Sequence, residues 1–319
     1  MASDRPPIGM VGAGSIGVAF AIVFARAGHP VRIWDALPDA EPRARAELAA
    51  RLELLDLPAR TAELVTFATD LDTALADVAL VQECAPERID LKRELLPRIA
   101  AAAPDEAVLA SSSSALLPSS IAAGADDATA ARVIVGHPGN PPYLIPVIEL
   151  VGAERTDPGT LDRAAAIYAG AGLRPVRVRR EIDGFLFNRL QGAVLREAYC
   201  LVRDGVATVD DIDEVMRSGL GRRWSFIGPF ETSDLNTRGG IAAHAEKMGP
   251  AYAAMGAERG QDDPWTPELV AEVTAQRRTL LPEDAWAARV RWRDEQLARL
   301  APVWEAIREG SPQDAEGRA

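Results

Sequence analysis

A histidine and a glutamate twelve positions apart are the residue types in this sequence best suited to proton transfer. His137 follows the apolar run Val133–Val135, and Glu149 lies inside a second run, Val147–Val151. An unpaired carboxylate in a buried strand is energetically expensive, so Glu149 needs a partner, and His137 is the candidate. A carboxylate bound to one ring nitrogen fixes the tautomer and leaves the other nitrogen as a general base or acid. On the residues alone, a strand-capping histidine and a solvent-facing glutamate remain an alternative.

Further polar side chains stand where predicted strands end or helices begin. The serines Ser111–Ser114 follow a predicted strand, and they either satisfy turn hydrogen bonds or hold a substrate oxygen. Glu87 and Lys92 follow another strand, where they either meet a ligand or form a solvated helix face. Asn188 lies one turn into a predicted helix, close to a domain junction, where its side chain can reach a ligand of the first domain.

The amino-terminal stretch has the strand, glycine turn and helix of a dinucleotide site. The run Ile8–Val11 leads into Gly12-Ala-Gly14-Ser15-Ile16-Gly17 and then into a helix-forming segment. In such a site the glycines permit the tight turn, the close approach of the pyrophosphate and the packing of helix on strand. Asp35 ends the next strand, where an acidic side chain binds the adenosine ribose, and no arginine follows immediately to hold a 2′-phosphate. The sequence therefore predicts NAD as the cofactor.

Alternating strands and helices predict the fold class and the domains. The predicted strands are Ile8–Val11, Val31–Trp34, Val78–Val81, Val108–Ala110, Arg132–Val135, Val147–Val151 and Arg174–Val178. From Phe185 only helices are predicted, one of them capped by Thr208 with Asp211 three residues on. We expect an α/β protein: a Rossmann-type doubly wound sheet in an NAD-binding domain (residues 1–182), an all-α substrate and dimerisation domain (183–309) and a disordered tail (310–319).

Composition narrows the class of partner. The chain has 319 residues, 48% of them hydrophobic and 26% charged, as expected for two globular domains. A net charge of -12 argues against nucleic acid or an anionic membrane as the main partner. Two cysteines, Cys84 and Cys200, are too few and too far apart to indicate a metal site or a disulfide framework. Without a signal-peptide core or a membrane-length apolar run, a cytoplasmic location is expected.

The motifs also follow one another in a recognisable order. They are Gly12-x-Gly14-x-x-Gly17, Asp35, Glu87 with Lys92, Ser114, His137-x-x-Asn140-Pro141, Glu149 and Gly184-Phe-x-x-Asn188. In this order they resemble the 3-hydroxyacyl-CoA dehydrogenase family, over about residues 8–235. The segments 137–151 and 219–232 most resemble its branch of lambda-crystallin and L-gulonate 3-dehydrogenase, with L-carnitine dehydrogenase nearby.

The resemblance implies a role for each matching residue. It implies that His137 is the proton-transferring base paired with Glu149, and that Ser114 and Asn188 hold the reacting oxygen. It further implies that Glu87, Lys92 and Asn140 line the cofactor.

Departures from the family pattern bear on the substrate. Where this chain has Ser111-Ser-Ser-Ser114-Ala115, the acyl-CoA enzymes have a segment that resembles Ser-Asn-Thr-Ser-Ser. The segment after Asp35 is rich in arginine instead of lysine. We therefore expect a small free hydroxy acid, L-gulonate-like, whose 3-hydroxyl is oxidised to the 3-keto acid. Arg223 belongs to a segment that borders the substrate pocket in the related enzymes, and its guanidinium is a bidentate match for a carboxylate.

Four alternatives remain open at this stage. Two are enzymes of the same family, a 3-hydroxybutyryl-CoA dehydrogenase and an L-carnitine dehydrogenase. A third is a hydroxy acid dehydrogenase of the 6-phosphogluconate dehydrogenase group with a catalytic lysine, whose glycine-rich substrate motif is absent here. The fourth is a structural or sensing NAD-binding protein of the lambda-crystallin kind. For all of them we expect a homodimer formed through the apolar helices after Phe185, since related enzymes pair with two-fold symmetry.

Overall fold

The computed structural model of the protein describes residues 5–225, 228–236 and 240–260, together with single positions and short stretches between 268 and 306. The chain divides into two compact units, residues 1–190 and 191–319. The domain boundary expected at Asp183 remains a prediction. The tail from Gly310, expected to be disordered, and most of the helical region expected after residue 260 lie outside the described residues.

Eight strands of the first unit form a single sheet. The strands are β1 (Ile8–Val11), β2 (Val31–Trp34), β3 (Val65–Phe67), β4 (Leu80–Glu83), β5 (Val108–Ser111), β6 (Val133–Pro138), β7 (Val147–Gly152) and β8 (Arg174–Val178). Their order across the sheet is β3-β2-β1-β4-β5-β6-β7-β8, and all neighbours are parallel except β6 and β7. The predicted doubly wound sheet is confirmed. Strand β3 was not predicted, because three residues carry no readable alternation.

Helices connect the strands and continue into the second unit. The first unit contains α1 (Ser15–Arg26), α2 (Ala40–Leu54), α3 (Ala59–Glu63), α4 (Leu71–Leu75), α5 (Ile89–Ala102), α6 (Pro118–Ile121), α7 (Asp127–Arg132) and α8 (Pro158–Gly170). Helix α9 (Phe187–Arg203) begins there and ends in the second unit. The second unit adds α10 (Val209–Glu214), a π-helical segment (Val215–Leu220), α11 (Gly221–Trp224), α12 (Pro229–Asn236), α13 (Gly240–Arg259) and a 3₁₀ turn (Glu283–Ala285).

The sheet topology gathers the loops of the predicted site at one edge. The carboxyl ends of the parallel strands β1, β2, β4, β5 and β6 point the same way, and ligands bind outside such ends in open α/β sheets. Strand β6 runs as far as Pro138, beyond the predicted strand end at Val135. His137 therefore lies within the strand and not just after it. The reversal into antiparallel β7 then places Glu149 directly opposite His137.

Two apolar clusters hold the sheet on its two faces. Helix α1 is buried on all sides from Gly17 to Ala25, as expected for a helix enclosed between the sheet and other helices. At Gly136 the packing is so close that an added Cβ would lie 2.6 Å from the Tyr168 hydroxyl. That hydroxyl donates a hydrogen bond to Gln82 on β4. A side chain at Gly136 would therefore push β6, and with it His137, out of position.

The regular secondary structure described in the second unit is all helical. Thr208 and Asp211 form the predicted reciprocal cap of α10, which is confirmed. The helix predicted to run to Ser218 changes at Glu214 to π-helical geometry, and the N–H of Gly221 donates to the carbonyl of Met216. Arg259 on α13 pairs with Glu197 on α9 and with Asp204, which directly follows α9. Among the residues described, no helix is long and apolar enough to cross a membrane.

Candidate active site

His137 and Glu149 form a buried hydrogen-bonded pair across strands β6 and β7. The Nδ1 atom of His137 lies 2.7 Å from Oε2 of Glu149, and the two residues are 6% and 2% exposed. A carboxylate accepts hydrogen bonds, so Nδ1 carries the proton and Nε2 is the remaining ring nitrogen. Phe185 and Phe187 flank the imidazole, with ring centroids 5.6 and 6.2 Å away. His137 is therefore the partner that the buried Glu149 carboxylate was expected to need.

The other oxygen of Glu149 is bound by backbone that sequence reasoning did not single out. Its Oε1 accepts the N–H groups of Leu186 and Phe187 at 2.6 and 2.9 Å. A turn aims these groups: Gly184 has φ +75° and Phe185 has φ +50°. A buried phenylalanine in the left-handed region costs about 1–3 kcal/mol, and such strain persists only where the surrounding structure fixes it. The Gly184-Phe185 pair in the sequence was the available signal for this turn.

Glu87 binds the turn that carries Ser114. Its Oε1 accepts the Ser113 hydroxyl at 2.5 Å and the N–H groups of Ser114 and Ala115 at 2.9 and 2.8 Å. Burial raises the pKa of Glu87, but these hydrogen bonds and the charge of Lys92 outweigh it and hold that pKa below its ordinary value. Glu87 is therefore ionised near neutral pH and fixes the backbone of the serine turn.

Asn188 joins the same turn from the start of α9. Its Nδ2 donates to the carbonyl oxygen of Ser114 at 2.8 Å. Ser114 itself is exposed, and in the described part of the chain Glu87 and Asn188 bind its backbone and not its hydroxyl. The structure thus brings Ser114 and Asn188 together through the backbone of one and the amide of the other, and their role in holding the reacting oxygen stays a prediction.

The glycine loop between β1 and α1 fits a dinucleotide pyrophosphate. Gly12 has φ +110°, and a Cβ there would lie 2.9 Å from the Cys84 backbone. A Cβ on Gly17 would lie 2.0 Å from the carbonyl oxygen of Gly12, whereas one on Gly14 would meet nothing within 4 Å. The first and third positions therefore require glycine for packing, and the second opens to a ligand at the first turn of α1, where Ser15 and Ile16 lie.

Asp35 is oriented by two backbone groups at the end of β2. Its Oδ2 accepts the N–H of Ala13 in the glycine loop at 2.7 Å, and its Oδ1 accepts the N–H of Leu37 at 2.9 Å. The carboxylate is partly exposed and fixed in direction, so it can accept ribose hydroxyls without reorganising. The same charge opposes a 2′-phosphate.

Lys92 lies beneath the loop that follows β4. Its Nζ binds both oxygens of Glu83, at 2.9 and 2.8 Å, and the carbonyl oxygen of Ala85 at 3.3 Å. Ser111 also donates to Glu83, at 2.6 Å, and Lys92 and Glu83 are 2% and 6% exposed. Sequence reasoning missed Glu83. Lys92 is thus enclosed by protein groups, and its predicted contact with the cofactor stays a prediction.

Asn140 and Arg223 are the remaining candidate site residues. Asn140 is exposed just after β6, at a cis peptide bond to Pro141. Arg223 is partly buried in α11 of the second unit, and its role also stays a prediction. His29 is buried, and its Nδ1 lies 2.8 Å from the carbonyl oxygen of Pro6, which points to a structural role. Among the described residues, no group of three or more His, Cys, Asp or Glu side chains is placed to hold a metal ion.

The fold and the glycine loop together define a nucleotide-binding protein of the Rossmann class. Residues 7–182 match the model of the 3-hydroxyacyl-CoA dehydrogenase NAD-binding domain, and residues 184–280 match that of the 3-hydroxyacyl-CoA dehydrogenase C-terminal domain. The chain belongs to the 3-hydroxyacyl-CoA dehydrogenase family, is an NAD-dependent oxidoreductase and takes NAD as its cofactor.

Individual relatives agree with the family assignment. A lambda-crystallin homolog of Bos taurus is 38% identical, over 93% of this chain and 95% of its own length. An L-carnitine dehydrogenase of Streptomyces griseus is 42% identical, over 83% and 79%. Among solved structures, the NAD⁺-dependent dismutase 5-formyl-3-hydroxy-2-methylpyridine 4-carboxylic acid 5-dehydrogenase is 27% identical with a TM-score of 0.76, over 94% of this chain and 99% of that one.

Replacing Lys92 by Met should destabilise the protein by about 3–5 kcal/mol, because it leaves the buried Glu83 carboxylate without its partner. Denaturant unfolding monitored by circular dichroism measures the change. Lys247, the other lysine of the chain and an exposed one, gives the matched control Lys247→Met, which should stay within about 0.5 kcal/mol of the wild type. The double variant Lys92→Met/Glu83→Gln should recover part of the loss. A stable Lys92→Met protein would contradict the structural role.

The fixed Asp35 carboxylate should make the enzyme prefer NAD to NADP by about 10² or more in kcat/KM, because like charges brought together cost several kcal/mol. Steady-state kinetics with each cofactor measure the ratio, and Asp35→Asn should reduce it. A wild-type ratio near one would show that Asp35 does not select the cofactor.

Proposed function

We propose that this enzyme oxidises the 3-hydroxyl of a small free hydroxy acid, of the L-gulonate kind, to the corresponding 3-keto acid. The observation that carries the proposal is the buried pair of His137 and Glu149, 2.7 Å apart, at the edge of the sheet where the glycine loop also lies. A histidine whose Nδ1 is bound by a carboxylate has its Nε2 available for a substrate proton. The apolar Phe185 and Phe187 rings limit the access of water to this nitrogen.

In the proposed reaction, Nε2 of His137 takes the proton of the substrate hydroxyl. NAD supplies the hydride acceptor when it is bound. Glu149 stabilises the positive charge that forms on the imidazole, and the N–H groups of Leu186 and Phe187 keep its carboxylate in place throughout. Proton transfer by a positioned group of this type contributes about 10²–10⁴ to the rate.

Ser114 and Asn188 are proposed to hold the reacting oxygen. The Ser114 hydroxyl is exposed at a turn whose backbone is fixed by Glu87 and by the Asn188 amide. An amide nitrogen has two protons, so Asn188 retains a donor beyond the one given to the Ser114 carbonyl. Hydrogen-bond donors aimed at a developing oxyanion contribute about 3 kcal/mol each. The lining of the cofactor by Glu87, Lys92 and Asn140 belongs to the same proposal.

Three arguments support a free acid as the substrate. The serine segment 111–114 departs from the acyl-CoA pattern, and the helix after Asp35 is rich in arginine. The relative at 42% identity is named for L-carnitine, which is itself a free 3-hydroxy acid. Arg223, within the domain that we propose to begin at Asp183, is suited to bind the carboxylate bidentately. L-carnitine is therefore the second candidate substrate.

His137→Ala and Glu149→Gln should each lower kcat by about 10²–10⁴ while the Kd for NAD changes little, because both residues act on the substrate proton. Stopped-flow turnover and isothermal titration with NAD measure the two quantities. His244, in α13 of the second unit, gives the matched control His244→Ala, which should keep its kcat. Near-normal turnover of either dyad variant would make the pair structural.

A substrate panel distinguishes the free acid from its rivals. L-gulonate, 3-hydroxybutyrate, L-carnitine and 3-hydroxybutyryl-CoA are each offered with NAD, and NADH absorbance is followed. We expect a free acid to give the highest kcat/KM. Arg223→Ala should lower kcat/KM for the free acid by an amount that corresponds to about 2–5 kcal/mol of transition-state binding. Arg223→Lys should recover only part of this loss, since the bidentate fork of the guanidinium is absent.

Three outcomes of this panel would change the proposal. Unchanged kinetics in Arg223→Ala would remove Arg223 from the site. Preference for the CoA ester would overturn the free acid. Absence of turnover with every compound would favour the structural or sensing protein.

We also propose a homodimer formed through the second unit. Its described helices expose large apolar side chains, among them Val215, Phe230 and Met255, at 62%, 81% and 55%. Apolar side chains at such exposure mark interaction surfaces when they cluster. Multi-angle light scattering at micromolar concentration should give twice the chain mass of 34.1 kDa, and a monomeric mass would refute the dimer.

A further inference from the structure

Arg51, an arginine of helix α2 to which the sequence assigned no function, is bound to the first turn of α1. Its Nη1 donates to the carbonyl oxygen of Ser15 at 2.8 Å, and its Nη2 donates to the Ser15 hydroxyl at 2.6 Å. Ser15 directly follows Gly14, the glycine at which an added Cβ would meet nothing within 4 Å. The guanidinium therefore lies against the residue that directly follows the open position of the glycine loop.

Two further contacts hold the guanidinium in this position. Glu47, one turn earlier on α2, binds Nη2 at 2.5 Å, and the Tyr143 ring lies beneath the guanidinium with its centroid 5.5 Å away. Tyr143 is itself 5% exposed, and its carbonyl oxygen accepts a hydrogen bond from Arg26. The Arg51 side chain is only 16% exposed. Its direction is thus set by groups from three segments of the first unit.

The electrostatics of this position favour an anion. The N-terminus of a helix carries a positive partial charge, so a cation held beside it is opposed by the helix dipole. Glu47 offsets part of the Arg51 charge, but Glu47 belongs to α2 and not to the N-terminus of α1. A diphosphate at the N-terminus of α1 would interact favourably with the dipole, the N–H groups of the first turn and the guanidinium together.

We propose that Arg51 is a cofactor-binding residue that raises the affinity of this enzyme for the pyrophosphate of NAD. It supplies a fixed positive charge at the glycine loop and orients the Ser15 hydroxyl there. The proposal depends on NAD binding, which the family establishes, and not on the identity of the hydroxy acid.

Isothermal titration without substrate tests the proposal. The ligands are NAD, ADP-ribose, which keeps the pyrophosphate, and adenosine, which lacks it. Arg51→Gln should weaken the binding of NAD and of ADP-ribose about tenfold, the size expected for one hydrogen bond to a charged group. Adenosine binding should stay within about twofold, and Arg51→Lys should recover part of the affinity because it keeps the charge and loses the fork.

Arg45 provides the matched control on the same helix. It also pairs with a glutamate one turn earlier, Glu41, and lies over the aromatic ring of Phe67. Among the described residues, Arg45 makes no hydrogen bond to the glycine loop. Arg45→Gln should leave all three affinities within about twofold of the wild type, a change below about 0.5 kcal/mol. The Kd for NAD should also rise less steeply with salt in Arg51→Gln than in the wild type.

Two results would overturn the proposal. One is NAD and ADP-ribose affinity in Arg51→Gln that matches the wild type. The other is an equal loss for adenosine, which would show that Arg51 only maintains the local fold. If Arg51→Gln does not fold, Arg51→Lys and Ser15→Ala carry the test, and unaltered ADP-ribose binding in both would overturn the proposal equally.

Discussion

The site depends on the antiparallel pairing of β6 with β7, the one antiparallel contact among the described strands of the sheet. Had β7 run parallel to β6, a glutamate twelve residues after the histidine would lie elsewhere along the sheet. The reversal instead sets Glu149 opposite His137 in register, and both side chains leave the sheet on the same side. A carboxylate buried in this way is tolerable only when all its oxygens are bound. The Gly184–Phe187 turn supplies the two remaining donors, so the catalytic candidate and the strained turn form one electrostatic unit.

Carboxylates that bind backbone N–H groups recur around the edge of the sheet. Asp35 joins the end of β2 to the glycine loop, Glu87 joins the start of α5 to the serine turn, and Glu83 joins Lys92 to the loop after β4. Charge-assisted hydrogen bonds are about twice as strong as neutral ones, which suits them to fix loops that have no strand or helix of their own. Loops fixed in this way can present ligand groups without reorganisation.

Cations complete this arrangement. Lys92 is enclosed and neutralises Glu83, whereas Arg51 extends from α2 to the first turn of α1. Lysine suits the enclosed position, since a single ammonium can be surrounded by oxygens. The guanidinium of Arg51 instead binds a carbonyl and a hydroxyl of one residue at once, which requires its planar fork.

The sequence by itself determined the class of fold, the glycine loop and the pairing of His137 with Glu149. These features depend on local patterns: a strand followed by glycines, an aspartate at the next strand end, and a glutamate in an apolar run. Only the tertiary structure decided which groups bind the charged side chains around the site. The N–H groups of Leu186 and Phe187 bind Glu149, Lys92 binds Glu83, and Arg51 binds Ser15. The partners are 9 to 38 residues apart in the sequence. No periodicity in the sequence encodes these contacts, because they arise from the order of strands in the sheet and from the direction in which each connection returns to it.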